Sequence, residues 1–305
     1  DLFEPVAGER FDLIVSNPPF VITPRASGIP SYEYRDGGMV GDSLVEAVIR
    51  GCARHLAPGG IAQLLGNWEY SGQPGGDGLL RVAQWIDDAG TATDDGLAGI
   101  DAWVIERESL APAQYAETWI RDSGTIPGTP SFERLYAAWL DDFALRGVTA
   151  VGFGYVLLRR ADPAAALPRL RRLERVGSAI GENGRGLGAH LLACLLASDW
   201  QRARDDDELA AARLVVAPDV TEERHLRPGD DDPSVILLRQ GGGFGRTVQV
   251  DTALAAAVGA CDGSLEVGAI TAAIADLLEA DESELRSHLL DRIRALIDDG
   301  MLAPA

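Results

Sequence analysis

An α/β architecture, with a wound sheet in the first half and an α+β unit in the second, follows from three features of this chain. Over residues 1–160, short apolar runs alternate with segments whose apolar residues recur at helical spacing. Proline and glycine punctuate the connections between them. Beyond residue 160 the alternation stops, and strands and helices cluster separately. At 305 residues the chain has room for two cores.

FDLIVSN reads as a buried strand, and a loop rich in Pro, Gly and Ser follows it to about Asp42. DSLVEAVIRGCARHL carries apolar residues at helical spacing, and APGG supplies the breakers that stop it. IAQLLGNW is the second strand, GLLRVAQWIDDAG a helix with a glycine stop, and IDAWVIERE the third strand. Helices near 112–122 and 131–146 interrupt the alternation before VTAVGFGYVLLRR makes a long fourth strand. In the second part, 161–204 reads as helix-rich and 213–250 as two strands joined by RPGDDDP. Residues 251–305 read as three helices, from Asp251, near 267–279 and near 283–299, ending in a short strand from DDGMLAP. That order suggests a winged-helix-like unit. Its last helix, in DESELRSHLLDRIRALIDDG, holds more acids than bases, so a structural or protein-docking role is expected in place of DNA reading.

Composition narrows the function. The chain carries 47 acids against 27 basic residues, every one arginine, for a net charge of −20. Such a surface repels phosphate backbones unless a local basic patch offsets it. No apolar run is long enough to cross a bilayer, and the start lacks a basic-then-apolar leader pattern. The expected compartment is the cytoplasm, with no membrane partner. Cys52, Cys194 and Cys261 lie far apart among apolar or small neighbours and read as buried free thiols. The four histidines fall at no metal-binding spacing, so no metal is expected.

The chemistry sits in FDLIVSNPPF, where an apolar run stops at an amide, two prolines and a ring. α/β folds gather their ligands at the carboxyl ends of parallel strands. There the Asn17 side-chain oxygen and the Pro18 carbonyl can each accept one hydrogen of a flat –NH2 group. Pro18 and Pro19 stiffen the backbone and remove its N–H groups, leaving acceptors only. Phe20 offers a face on which a planar amide or base stacks. A planar –NH2 is a poor nucleophile because its lone pair is delocalised. Two acceptors that hold its hydrogens out of plane localise that pair and aim it at an electrophile. Positioning and electrostatics carry such catalysis, and the matching electrophile is an activated methyl group.

NPPF after an apolar strand resembles motif IV of the class I S-adenosylmethionine-dependent methyltransferases that modify planar nitrogens. These are adenine-N6 enzymes, small-domain ribosomal-RNA guanine-N2 enzymes, and HemK-like enzymes acting on glutamine. The likeness continues through DLFEPVAGERFDLIVSNPPFV and YRDGGMVGDSLVEAVIRGCARHLAPGGIAQLLGNW, in the order strand, loop, Asp-Gly segment, helix and PGG turn into the next strand. It covers about residues 1–160 and is strong over 1–70. It implies a Rossmann-like sheet of which this chain holds the carboxyl-terminal strands only, and S-adenosyl-L-methionine as cofactor. Asn17 is the implied catalytic residue. Asn17, Pro18, Pro19 and Phe20 are the implied substrate clamp, and Asp1, Leu2 and Asn17 the implied cofactor contacts. Trp68, at the end of the next strand, is either a wall of the substrate pocket or a packing residue.

In the resembled family a glycine-rich cofactor loop precedes motif IV, whereas ten residues precede Phe11 here. The expectation is the carboxyl-terminal part of a longer chain, with an open apolar sheet edge and weak cofactor binding by itself. Two later glycine runs do not replace that loop. GENGRGLGAHLL follows LRRLERVGSAI, which reads as helix, whereas a nucleotide loop follows a strand. RQGGGFGRTVQVD fits a hairpin connection. RDDDE and RPGDDDP lack calcium-loop spacing and read as solvated loops.

The functional expectation is methyl transfer to a planar –NH2 group on a protein or RNA partner, with the terminal unit a candidate for docking that substrate. The acidic balance favours a protein glutamine, and a nucleobase of ribosomal RNA or DNA is the alternative. A non-catalytic interaction protein on the same fold is the rival from another class.

Overall fold

The computed structural model describes residues 2–25, 29–30, 34–91, 99–162 and 167–305. They form a mixed α/β chain in two units, Asp1–Gly177 and Ser178–Ala305. No helix among them is long and apolar enough to cross a membrane.

Five strands make the sheet of the first unit: β1 (Phe11–Ser16), β2 (Leu56–Ser71), β3 (Ile100–Leu110), β4 (Val148–Arg160) and β5 (Arg171–Arg175). Across the sheet they lie in the order β1-β2-β4-β3-β5. β1 runs parallel to β2 and β5 parallel to β3, while β4 is antiparallel to both of its neighbours. Helices α1 (Ser43–His55) and α2 (Gly78–Thr91) close one core over the sheet through Val45, Ile49, Val82 and Ile86, against Trp68, Val104 and Leu158. A second core joins α3 (Pro112–Asp122) and α4 (Pro130–Arg146) to Val21, Ile22 and Val151 through Tyr115, Trp139 and Phe143. Arg160, fully buried at the end of β4, donates to the carbonyls of Ala53 and Leu56 and so satisfies the open end of α1.

Three local expectations are corrected. FDLIVSN is a strand but not a buried one: β1 pairs on one side only, and Leu13 and Val15 are 60% and 70% exposed. APGG belongs to β2, where Leu56 faces Phe11 and Ile61 faces Leu13; residues 57–60 are an irregular start to the strand, and Gly59 takes φ +76°. LRRLERV is strand where helix was expected. Its leucines recur every third residue, a spacing that suits a helix, but the sheet edge satisfies its polar side chains better. The Arg172 guanidinium lies 4.7 Å above the Trp103 ring, and Trp103 Nε1 donates to Glu174 Oε1 at 2.6 Å.

The second unit has helices α5 (Leu187–Arg202), α6 (Asp206–Ala210), α7 (Thr252–Gly259), α8 (Val267–Leu278) and α9 (Glu282–Asp298). Its strands are β6 (Arg213–Val216), β7 (Val220–His225), β8 (Val235–Gln240), β9 (Thr247–Val250), β10 (Asp262–Glu266) and β11 (Leu302–Pro304). They form two antiparallel sheets, β10-β6-β11 and β7-β8-β9. Leu254, Leu289, Ile293, Ile297 and Leu302 centre the core. Between α7 and α8 the chain forms β10, and a single strand, β11, follows the last helix and pairs with β6. RDDDE is a helix start, not a loop: Asp205 accepts the Glu208 amide and Glu208 accepts the Asp205 amide, a reciprocal cap on α6.

The two glycine runs bind each other. Gly181 N–H donates to the Gly243 carbonyl at 3.1 Å, Glu182 N–H to Gly241 at 2.9 Å, and the Asn183 amide both gives to and takes from the Gly243 backbone at 3.0 Å. A side chain on Gly181 would collide with the Gly241 carbonyl, which is why glycine stands there. The first run does follow a strand, β5, against the helix expected before it. These two of its amides are bonded to the hairpin that the second run closes, β8 to β9.

Candidate active site

Asn17 is exposed at the carboxyl end of β1, Pro18 behind it is buried, and Pro19 and Phe20 are half-buried. The chain that follows is held at three points. Val21 N–H donates to the Arg35 carbonyl at 2.8 Å, Phe20 forms an antiparallel bridge with Asp36, and Ile22 N–H donates to Tyr115 Oη at 3.1 Å. The Asp-Gly segment thus folds back on NPPF. Its buried Asp36 accepts from Arg25 and from the Gly38 amide, and Arg35 donates to Asp122 and to the Trp119 carbonyl, both at 2.8 Å. Behind β2, Arg81 pairs with Asp42 and Arg146 with Glu69. Burial pushes the Glu69 carboxyl up, and the Arg146 guanidinium opposes that shift.

Phe20 is one wall of a cavity of about 190 Å³, with Phe153, Tyr115, Trp119, Asn67 and Glu108 among the others. The Phe20 and Phe153 rings are 5.5 Å apart at 42°. Asn67, from the carboxyl part of β2, is 1% exposed; its Nδ2 donates to Tyr115 Oη, and its Oδ1 makes no hydrogen bond. Burial pushes the Tyr115 phenol well above its ordinary range, so it stays protonated and neutral.

Of the other residues singled out in the sequence, Trp68 is fully buried in the core under α1 and α2, where its Nε1 donates to Glu106 Oε2 at 2.7 Å. Glu106 also accepts from Tyr70 Oη and Arg175 Nε, and burial with the Glu106 bond pushes the Tyr70 phenol up to about 12. The cavity wall at this strand end is the neighbour, Asn67. Alternation along β2 could have found it: Ala62, Leu64 and Trp68 face the core under α1 and α2, so residue 67 points to the opposite side of the sheet.

Asp1 lies outside the described residues. Leu2 is 49% exposed in a turn with φ +23°, and Asn17 is exposed as well. Leu2 and Asn17 are therefore both accessible to solvent. No group of three or more His, Cys, Asp or Glu among the described residues is placed to hold a metal ion. The three cysteines are buried and free, and burial pushes the Cys52 thiol up to about 12.

Residues 193–304 match the family described as "Domain of unknown function (DUF7782)". A stretch of 67 residues is 36% identical to the ribosomal protein uL3 glutamine methyltransferase of Bradyrhizobium diazoefficiens, covering 20% of this chain and 21% of that protein. A stretch of 66 residues is 39% identical to the release factor glutamine methyltransferase of Geobacter sulfurreducens, covering 19% and 23%. The chain spans about a fifth of the length of these curated relatives. Among solved structures, that of PKMT2 from Rickettsia typhi in complex with AdoHcy aligns over 99% of this chain and 60% of that one. At 12% identity and a TM-score of 0.27 that alignment assigns nothing. Over those stretches the sequence similarity is to methyltransferases.

Proposed function

We propose that residues 1–160 are the acceptor-holding part of an S-adenosylmethionine-dependent N-methyltransferase domain with a partial Rossmann-like sheet. Its substrate is a planar amide or amino nitrogen, a protein glutamine ahead of a nucleobase, and residues 161–305, with their winged-helix-like end, serve to dock it. The observation that carries this reading is the surroundings of NPPF. An exposed amide ends a parallel strand, a buried proline follows, and the next ring forms part of an aromatic cavity wall. The similarity of short stretches to two glutamine methyltransferases supports the same class.

In this reading the donor supplies an electrophilic methyl group, and the residues of this chain prepare the nitrogen. Asn17 Oδ1 and the Pro18 carbonyl take its two hydrogens, and Phe20 holds the plane of the group. The nitrogen lone pair is then localised and directed, which is a positioning and electrostatic contribution. No general base is required.

The test is Asn17→Ala in the whole gene product. Turnover should fall by about 100-fold or more, as when one preorganised hydrogen-bonding group is removed from an active site. The thermal midpoint should not move, because residue 17 is exposed. Turnover within a few-fold of the parent would overturn the assignment.

A further inference from the structure

We infer that the cavity beside Phe20 is an aromatic cage for a methylated ammonium group, a binding site separate from the acceptor clamp at Asn17 and Pro18. Neither of those residues lines it, so the inference goes beyond the methyl-transfer reading and does not rest on it. Four of the lining residues are aromatic: Phe20, Tyr115, Trp119 and Phe153. Tyr115 is buried and the other three are half-buried. An aromatic face carries negative partial charge, so several rings around one space attract a cation. A quaternary ammonium suits them best, because its methyl groups pack against the rings while its charge stays diffuse. At about 190 Å³ the space equals roughly six waters at about 30 Å³ each, enough for such a head group.

The charge of the lining has one sign. Glu108 lines the cavity, no basic residue does, and Glu108 forms no ion pair with any described residue. A local irregularity puts that acid there. Strict alternation along β3 would place Glu108 on the same side of the sheet as Glu106, which meets Trp68 under α1 and α2. The register with β4 slips between them: Glu106 faces Gly154 and Glu108 faces Phe153, so β3 carries one extra residue. That bulge turns Glu108 to the cavity side, with Phe153. A carboxylate among four rings complements a cation. A neutral apolar group would leave it without a partner, and a phosphate or carboxylate would be repelled. The net charge of −20 adds attraction for a cation at longer range.

The test is isothermal titration calorimetry on the whole gene product with choline and with 3,3-dimethyl-1-butanol, which has the same shape and no charge. Choline should bind about tenfold tighter or better, as expected of a desolvated cation over aromatic rings. Glu108→Gln, at an exposed position, should weaken choline about threefold or more in low salt. It should leave the alcohol and the thermal midpoint unchanged. Phe153→Leu keeps an apolar wall and removes a ring, so it should narrow the gap between the two probes; if it does not fold, Glu108→Gln decides. A nine-residue Gly/Ser peptide with a central trimethyllysine distinguishes the sources of the group. Tighter binding than choline assigns it to a protein side chain, and weaker binding to a free small molecule. No binding of choline, equal affinity for choline and the alcohol, or an unaffected Glu108→Gln variant would overturn the cage. So would displacement of choline by S-adenosylmethionine, which would give the cavity to the sulfonium of the methyl donor. Every readout is binding, so failure here leaves the turnover test of Asn17 untouched.

Discussion

Tyr115 carries more of the site than its place in the middle of α3 suggests. Its phenolic oxygen accepts the Ile22 backbone amide and the Asn67 side-chain amide, tying the segment after NPPF to the end of β2. Replacing it with phenylalanine keeps the ring among Trp119, Trp139 and Phe143 but leaves two buried donors unpaired. Tyr115→Phe should therefore cost about 1–3 kcal/mol in urea unfolding. A cost below about 0.5 kcal/mol would mean that the oxygen does not brace these segments. Legibility at this scale divides along chain distance. Asn17, Pro18, Pro19 and Phe20 form one local motif and could be found in the sequence. Asn67 and Tyr115 meet across 48 residues, and Ile22 and Tyr115 across 93, so no local spacing announces them.

Helix ends show what single elements depend on. Asp251 Oδ1 accepts the Leu254 amide at 2.7 Å at the start of α7, and Oδ2 lies 3.2 Å from His288 Nε2. Partial burial raises the Asp251 pKa, but the Leu254 amide and the His288 ring together outweigh it, and the net shift is below the ordinary value of 3.8. A carboxyl lowered by folding contributes stability above its unfolded value and loses it as pH falls through the folded one. Asp251→Ala should cost about 1 kcal/mol in urea at pH 7, and the gap should shrink toward pH 3. An equal gap at both pH values would contradict the cap. Elements were legible where periodicity was unambiguous, as in α1 to α4 and β4. β1 and β5 misled because burial and edge position depend on which strands lie beside them, and that is not local information. The β5 arginines, 171, 172 and 175, face partners supplied from other elements: Asp87, Trp103 and Glu106.

At the scale of the whole molecule the first unit holds two cores, around Trp68 and Ile86 and around Tyr115 and Phe143, and the second holds one, around Leu254 and Leu289. The division falls after Gly177, because β5 extends the first sheet beyond residue 160. The first sheet keeps an open apolar edge at Leu13 and Val15, a surface that isolated sheets usually protect. The net charge is −20, and Arg35 and Arg121 near the site are each paired with an acid, Asp122 and Glu117. The most direct measurement of the central claim compares, by mass, digested protein and nucleosides from cells with and without the gene. Loss of a methylated glutamine with unchanged nucleosides is expected. No difference at any amide or amino nitrogen would contradict it.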